Sequence, residues 1–259
     1  MTAVPPNRDL REDIRDYWSD RSATFDLAFG HRIPEGPEAR AWQQPMRDHL
    51  GPAPLRVLEL ACGTGEVTRL VHDVGHDVTA LDFSEAMLAV ARAKHAGKPR
   101  LRFLLADAGR TMEPDAAYDA ILCRHLVWTL TDPAGAFEDW LRILRPGGRL
   151  LVYDGDWARP KGVLAAWAVR QIDRLIGPDA AYDGAMGERH AGIMRRLPFG
   201  AGLTPARLVP MLAAAGFRDI GIHSHAPIAA AQRQGAGLRN RLRTRVYARF
   251  ILTAVKPGA

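Results

Sequence analysis

The chain has 259 residues, 47% hydrophobic and 25% charged, the balance of a soluble globular protein with a sizeable core. No run of about 18 uncharged apolar residues occurs, which excludes a transmembrane helix, and the polar opening MTAVPPNRDLRED lacks a signal-peptide core. A cytoplasmic location with no membrane partner is expected, and Cys62 and Cys123 are too few for a disulfide framework or a zinc site, so no metal is expected.

The net charge of +6 is concentrated at one end. No acidic residue follows Asp219, and the tail holds Arg233, Arg239, Arg241, Arg243, Arg245, Arg249 and Lys256, so residues 1–219 are close to neutral. A solvated basic loop is the expected reading of that tail, with an anionic substrate or partner as the alternative.

In chain order, residues 1–50 form a helical arm, with helical stretches at DLREDIRDYWSDRSATFD and EARAWQQPMRDHL. LRVLEL (55–60) is the first buried strand, followed by a helix on Val67, Leu70, Val71 and Val74 that Gly75 stops. DVTALD (77–82) is the second strand, and Ser84 caps the next helix. LRFLLAD (101–107) and YDAILC (118–123) are the third and fourth. Asp132-Pro133 starts a helix ended by Pro146-Gly147-Gly148, and GRLLVYD (148–154) is the fifth strand. Residues 158–200 interrupt this rhythm as a helical cap, with Leu164, Trp167, Ala168, Ile172, Leu175 and Ile176 as an apolar stripe. Thr204-Pro205 opens a helix that closes at Gly216, with Pro210 implying a kink or a late start. FRDIGIHSH (217–225), with His223 and His225 on one face, and VYARFILTAV (246–255) read as a closing antiparallel pair around a basic loop. The fold expected is α/β, a Rossmann-like doubly wound sheet of seven strands, mostly parallel with an antiparallel last strand. It is expected as a single domain: arm 1–50, binding core 51–157, cap 158–200 and remaining sheet 201–259.

The junction Glu59-Leu60-Ala61-Cys62-Gly63-Thr64-Gly65 suits a sharp turn and a closely approaching ligand. Asp82, 23 residues after Glu59, ends strand two, where a carboxylate accepts from ribose hydroxyls. A G-x-G-x-x-G alignment puts either Ala61 first and Glu66 last, or Thr68 last. Glu66 is bulky and anionic where a pyrophosphate must fit, so a dinucleotide is disfavoured and an adenosine ligand without phosphates favoured.

VLELACGTGEVT and VTALDFSEAML resemble the first two motifs of class I S-adenosylmethionine-dependent methyltransferases. FLLADA, YDAILCRHLVWTL and LRPGGRLLVYD continue the likeness, in order, over residues 55–155, to the small-molecule type called methyltransferase domain 11 or 25. The usual first glycine is Ala61 here, and YWSDRSATFD (17–26) resembles the arm that such proteins fold over the cofactor.

The resemblance implies S-adenosyl-L-methionine as cofactor and S-adenosyl-L-homocysteine as product. Glu59 and the loop Ala61, Gly63 and Gly65 would hold the methionine part, and Asp82 the ribose. Phe83 and Met87 would flank the adenine, Asp107 and Ala108 would meet its edge, and Arg124 would offer its carbonyl to the methionine ammonium. Tyr17, Trp18 and Arg21, with Phe25 on the same helical face, would close over it.

His125 directly follows strand four and is the candidate base, oriented by Asp154 or Asp156. Trp128, Asp154, Trp157, Tyr182 and His190 are candidate acceptor contacts, beside Tyr153 and Met186. The Asn/Asp-Pro-Pro-Tyr and Pro-Cys signatures of nucleic-acid methyltransferases are missing after strand four, where Arg124-His125-Leu126-Val127 stands. A small-molecule acceptor is therefore expected and a nucleic-acid partner disfavoured. RNA methylation through the Arg-rich segment and a noncatalytic cofactor-binding subunit are the alternatives, and a homodimer is an open assembly.

Overall fold

The computed structural model describes residues 9–177 and 184–258. Helix α1 (Leu10–Arg21) starts where Asp9 accepts from the Glu12 amide while the Glu12 carboxylate accepts from the Asp9 amide. Helix α2 (Pro37–His49) follows, with Pro at its first position, where the missing N–H leaves no bond unmade.

The alternating units come next: β1 (Arg56–Leu60), α3 (Glu66–Val74), β2 (Asp77–Asp82), α4 (Glu85–Lys94), β3 (Leu101–Leu105), β4 (Tyr118–Arg124), α5 (Pro133–Ile143) and β5 (Leu144–Pro160). Helices α6 (Val163–Ile176), α7 (Gly184–Met194) and α8 (Pro205–Ala215) precede β6 (Arg218–Ser224). Helices α9 (Ala226–Arg233) and α10 (Leu238–Arg243) lead to β7 (Tyr247–Val255).

The seven strands run in the order β3-β2-β1-β4-β5-β7-β6, all parallel except β7, which is antiparallel to both neighbours. The sheet is the expected one. Strands β1, β4 and the central part of β5 bury both faces, which is why their sequences are mostly apolar. One core packs Phe137, Trp140 and Leu208 of α5 and α8 against one face of the sheet. Another packs Trp42, Leu70 and Ile228 of α2, α3 and α9 against the other. Because β1 pairs with both β2 and β4, the carboxyl ends of β1 and β4 form the crevice where chain direction reverses.

Several expectations shift. Helix α5 ends at Ile143, before Pro146-Gly147-Gly148, because buried Leu144 turns extended and pairs with Tyr118. Strand β5 continues past Asp154 because its end keeps pairing with β7, so the cap begins after Pro160 and not at 158. Helix α8 starts at Pro205, with no late start, and carries exposed Pro210 within it. Residues 226–243 are two helices in place of a loop, and His225 caps α9, off the strand that holds His223. The apolar stripe of α6 faces outward: Leu164 and Leu175 are each 84% exposed, with Trp167 and Ile176 also exposed, and Ala166 is the buried position. Among the described residues no helix is long and apolar enough to cross a membrane.

Candidate active site

The turn after β1 takes left-handed backbone at Ala61 (φ 52°), Gly63 (φ 56°) and Gly65 (φ 82°). A Cβ on Gly63 would meet only Phe25, at 3.8 Å, so that face of the loop is open to a ligand. Gly65 lies behind it: a Cβ there would come within 2.8 Å of the His95 ring, which is bonded to the Gly65 carbonyl. The Gly63 amide donates to Asp82 Oδ2 (2.8 Å) and the Ser84 amide to Oδ1 (2.9 Å), tying the ends of β1 and β2 together.

Two carboxyls are buried at this junction. Burial pushes Asp82 up to about 6 against the backbone amides that favour its ionised form. Burial pushes Glu59 up to about 8, opposed by the hydroxyl of Thr68, which donates to it. Neither makes a salt bridge among the described residues. Asp107 accepts from the Gly109 amide (2.7 Å) and lies 3.7 Å from Arg11 of α1. Trp140 donates to the Ala108 carbonyl (2.7 Å) and fixes that segment against the core.

A cavity of about 610 Å³ opens at this crevice, within the size range of about 300–1,000 Å³ typical of small-ligand sites. Tyr17, Trp18, Arg21, Glu59, Ala61, Gly63, Asp82, Phe83, Met87, Asp107, Ala108 and Arg124 all line it. Gly65 does not, because it supports the loop from behind.

The arm does not continue helically to Phe25. Helix α1 ends at Arg21 and Phe25 opens a separate short turn, yet its ring still sits 5.9 Å from that of Trp18. Thr64 of the loop donates to Asp26 (2.6 Å), Lys94 pairs with the same carboxylate, and Ser19 and Ser84 share a 2.8 Å bond. The arm is thus fastened to the glycine loop and to the start of α4.

At the other end His125, Trp128, Trp157 and His190 line the cavity, joined by Ala166 and Val169 of α6. His125 has φ 56°, donates its amide to the Tyr153 carbonyl (2.8 Å), and packs its ring 4.7 Å from that of Trp157. Burial, then the charges of Arg124 and Arg249, hold its imidazole well below the usual range, so it is neutral at neutral pH. The expected Asp–His pairing does not form. Asp154 accepts from the Val127 and Gly155 amides and from Trp157 Nε1, and it does not line the cavity. Asp156 instead accepts from the amides of Ala158 and Arg159. Asp154 is therefore a strut that fixes Trp157, and Tyr182 lies outside the described residues.

The Arg124 guanidinium donates to the carbonyls of Gly30 (3.4 Å) and His31 (3.1 Å), closing the loop between the arm and α2 onto β4. Residues not anticipated include Phe29 and His31 of that loop, and Tyr247 and Arg249 of β7. Arg249 had a signal, a lone cation inside the apolar run VYARFILTAV. The 29–31 loop had none.

The family model described as "Methyltransferase domain" matches residues 58–152. A demethylmenaquinone methyltransferase of Thermus thermophilus is 34% identical over 170 residues, covering 64% of this chain and 75% of that enzyme. The chain belongs to the class I S-adenosylmethionine-dependent methyltransferase family. An uncharacterised methyltransferase of Mycobacterium tuberculosis is 36% identical over 165 residues, 62% of this chain and 61% of that one. The match to the demethylmenaquinone methyltransferase of Clavibacter sepedonicus spans only 40% of that protein. Among solved structures, Haemonchus contortus phosphoethanolamine N-methyltransferase 2 superposes with a TM-score of 0.67 at 17% identity, over 98% of this chain and 61% of that one. Geranyl diphosphate C-methyltransferase of Streptomyces coelicolor gives 0.63 at 16% identity, over 97% of this chain and 100% of that one. These two establish the shared methyltransferase fold. The residues at the crevice suit the family's cofactor. Glu59 and Asp82 are buried acceptors with no cation paired to them among the described residues, and Gly63 leaves the backbone beside them uncovered.

Proposed function

We propose that this methyltransferase binds S-adenosylmethionine between the 59–65 loop, Asp82 and Asp107, and that it methylates a small-molecule acceptor seated against His125 and Trp157. When bound, the cofactor supplies an electrophilic methyl carbon on a sulfonium. Glu59 would meet the methionine ammonium, Asp82 the ribose hydroxyls, Phe83 and Met87 the adenine faces, and Asp107 with the Ala108 amide the adenine edge. Tyr17, Trp18 and Arg21 cover this half of the cavity and exclude water from it. The observation that carries the reading is continuity: one cavity joins this half to the His125 half, so an acceptor atom and the methyl carbon share a single enclosed space.

His125 is the proposed proton acceptor. Its imidazole is already unprotonated at neutral pH, so it takes a proton from a hydroxyl or amine without first losing one. Trp157, its indole held 2.9 Å from Asp154, is the flat wall beside it.

A small acceptor is favoured over RNA by how the basic segment is used. Arg239 donates to Asp173 (3.2 Å), Arg241 to the Arg233 carbonyl (3.2 Å), Arg233 to Thr244 (3.3 Å) and Arg249 to Gln232 (2.8 Å). These arginines brace α6, α9, α10 and β7 against one another and do not form an open phosphate-binding stripe. The demethylmenaquinone methyltransferase relative and the geranyl diphosphate C-methyltransferase of similar fold are also small-molecule enzymes.

Incubation with methyl-labelled S-adenosylmethionine tests this reading. Label is expected in a small-molecule extract and not in RNA, and label confined to RNA would reverse it. Once an acceptor is in hand, His125→Ala should lower turnover about 10²–10⁴-fold with little change in S-adenosylhomocysteine affinity. Because the depressed His125 is unprotonated in the free enzyme, wild-type kcat/KM should show no His125 acid limb between pH 6 and 7. Full turnover by the variant would remove the base.

A further inference from the structure

Arginines line all of the cavity, Arg11, Arg21 and Arg124 among them, but its acids are confined to one part of it. Its carboxylates, Glu59, Asp82, Asp107 and Asp132, all come from β1, β2 and the loops after β3 and β4. The wall contributed by described residues from 157 onward carries Arg170, Arg243 and Arg249 and no acid at all. Arg243 lies 3.8 Å from Asp173, which also takes Arg239, while Arg249 has no carboxylate within salt-bridge distance among the described residues.

Arg249 is the informative one. It sits on β7 opposite Gly155, inside the sheet, where most of its side chain is removed from water. Its Nη1 donates to Gln232 Oε1 (2.8 Å), and Gln232 reaches Glu38 (3.1 Å), so among the described residues its hydrogen-bonded route to an acid runs through Gln232, with Glu38 otherwise acting on it through space. Its Nε is buried and has no hydrogen-bond partner among the described residues. The guanidinium carbon stands 5.7 Å from the Trp157 ring centre, and the same ring system meets His125 and Tyr247 in edge-on contacts. A buried, incompletely bonded guanidinium is expensive to maintain and is usually compensated by an anion. Burial holds Arg249 down to about 10 against the opposing charge of Glu38, with Arg124 adding to the fall, and both arginines also depress His125.

We propose that the methyl acceptor carries an oxyanion, a carboxylate or a phosphate, on an apolar body, and that Arg249 binds this oxyanion while the body lies on Trp157 and Tyr247. This rests on the reading of the cavity as a methyltransferase site and names the class of its acceptor. The arrangement couples recognition to chemistry. An anion beside Arg249 offsets the positive field at His125 and makes that imidazole a stronger base only when the correct acceptor is present.

Calorimetry on protein saturated with S-adenosylhomocysteine tests it with three probes of one shape: 2-naphthoate, 2-naphthyl phosphate and the neutral 2-naphthamide. At least one acid should bind about tenfold or more tighter than the amide, and the stronger of the two tells carboxylate from phosphate. Arg249→Gln should erase the preference and Arg249→Lys keep part of it, with S-adenosylhomocysteine affinity unchanged in both. Absence of any acid preference in the wild type overturns the proposal without needing a variant. So does a preference that survives Arg249→Gln, or a loss of S-adenosylhomocysteine affinity in that variant, which would give the guanidinium to the cofactor's carboxylate. Failure of S-adenosylhomocysteine to bind the wild type at all would instead strike the underlying functional reading.

Discussion

Ala61 occupies a left-handed conformation, φ 52°, at the turn after β1. A Cβ in that region is strained by about 1–2 kcal/mol, part of which a glycine's freer unfolded chain takes back. Ala61→Gly should therefore raise stability by about 0.5–1 kcal/mol, seen as a melting temperature higher by about 1–3 °C. An unchanged or lower value would mean the turn is held without strain. Glu59 is the opposite case, a group whose chemistry sets the strain. Burial lifts it from 4.5 to about 8, so between those values the unfolded chain has lost a proton that the folded chain keeps. Its contribution to stability thus falls as pH rises through that window. Glu59→Gln keeps an acceptor for Thr68 and removes the titration, so urea unfolding should show the variant gaining on the wild type from pH 5 to 8. A pH-independent difference would contradict the buried, protonated state.

The elements that carry the site differ in how openly the sequence declares them. Strands β1, β2 and β4 and the loop after β1 are legible because burial on both faces makes their sequences mostly apolar, and the glycines mark the turn. The cap is less legible. Its apolar stripe on α6 has the periodicity of a buried face, yet Leu164, Trp167, Leu175 and Ile176 point outward, because periodicity reports an amphipathic helix and not what covers it. Asp154 misled for a related reason. A carboxylate at a strand end reads as functional, but here it satisfies two amides and an indole. Arg249 was hidden by distance, since 125 and 249 meet only after β7 inserts beside β5. The arm was legible as a cluster of large side chains, and the Thr64–Asp26 and Ser19–Ser84 bonds now give it a mechanical link to the loop. Amide exchange over residues 10–30 should slow when S-adenosylhomocysteine binds, because the loop and the arm then share a ligand. Indifference there would reduce the arm to packing.

At the scale of the molecule, the strand order reverses between β1 and β4, and the crevice this creates is closed by α1 on one side and by α6, α7 and β7 on the other. The carboxylates lie in the half made by the early elements, arginines line both halves, and the late half carries arginines without an acid among the described residues. The account depends most on the first half being a site for S-adenosylmethionine and not for a dinucleotide, since everything proposed for His125 and Arg249 is positioned against it. Titration calorimetry of the intact chain with S-adenosylhomocysteine and with NAD decides this. The account predicts saturable one-to-one S-adenosylhomocysteine binding, weakened about tenfold or more by Asp82→Ala through loss of charge-assisted bonds, and no NAD binding. Tight NAD binding with no response to S-adenosylhomocysteine would contradict it.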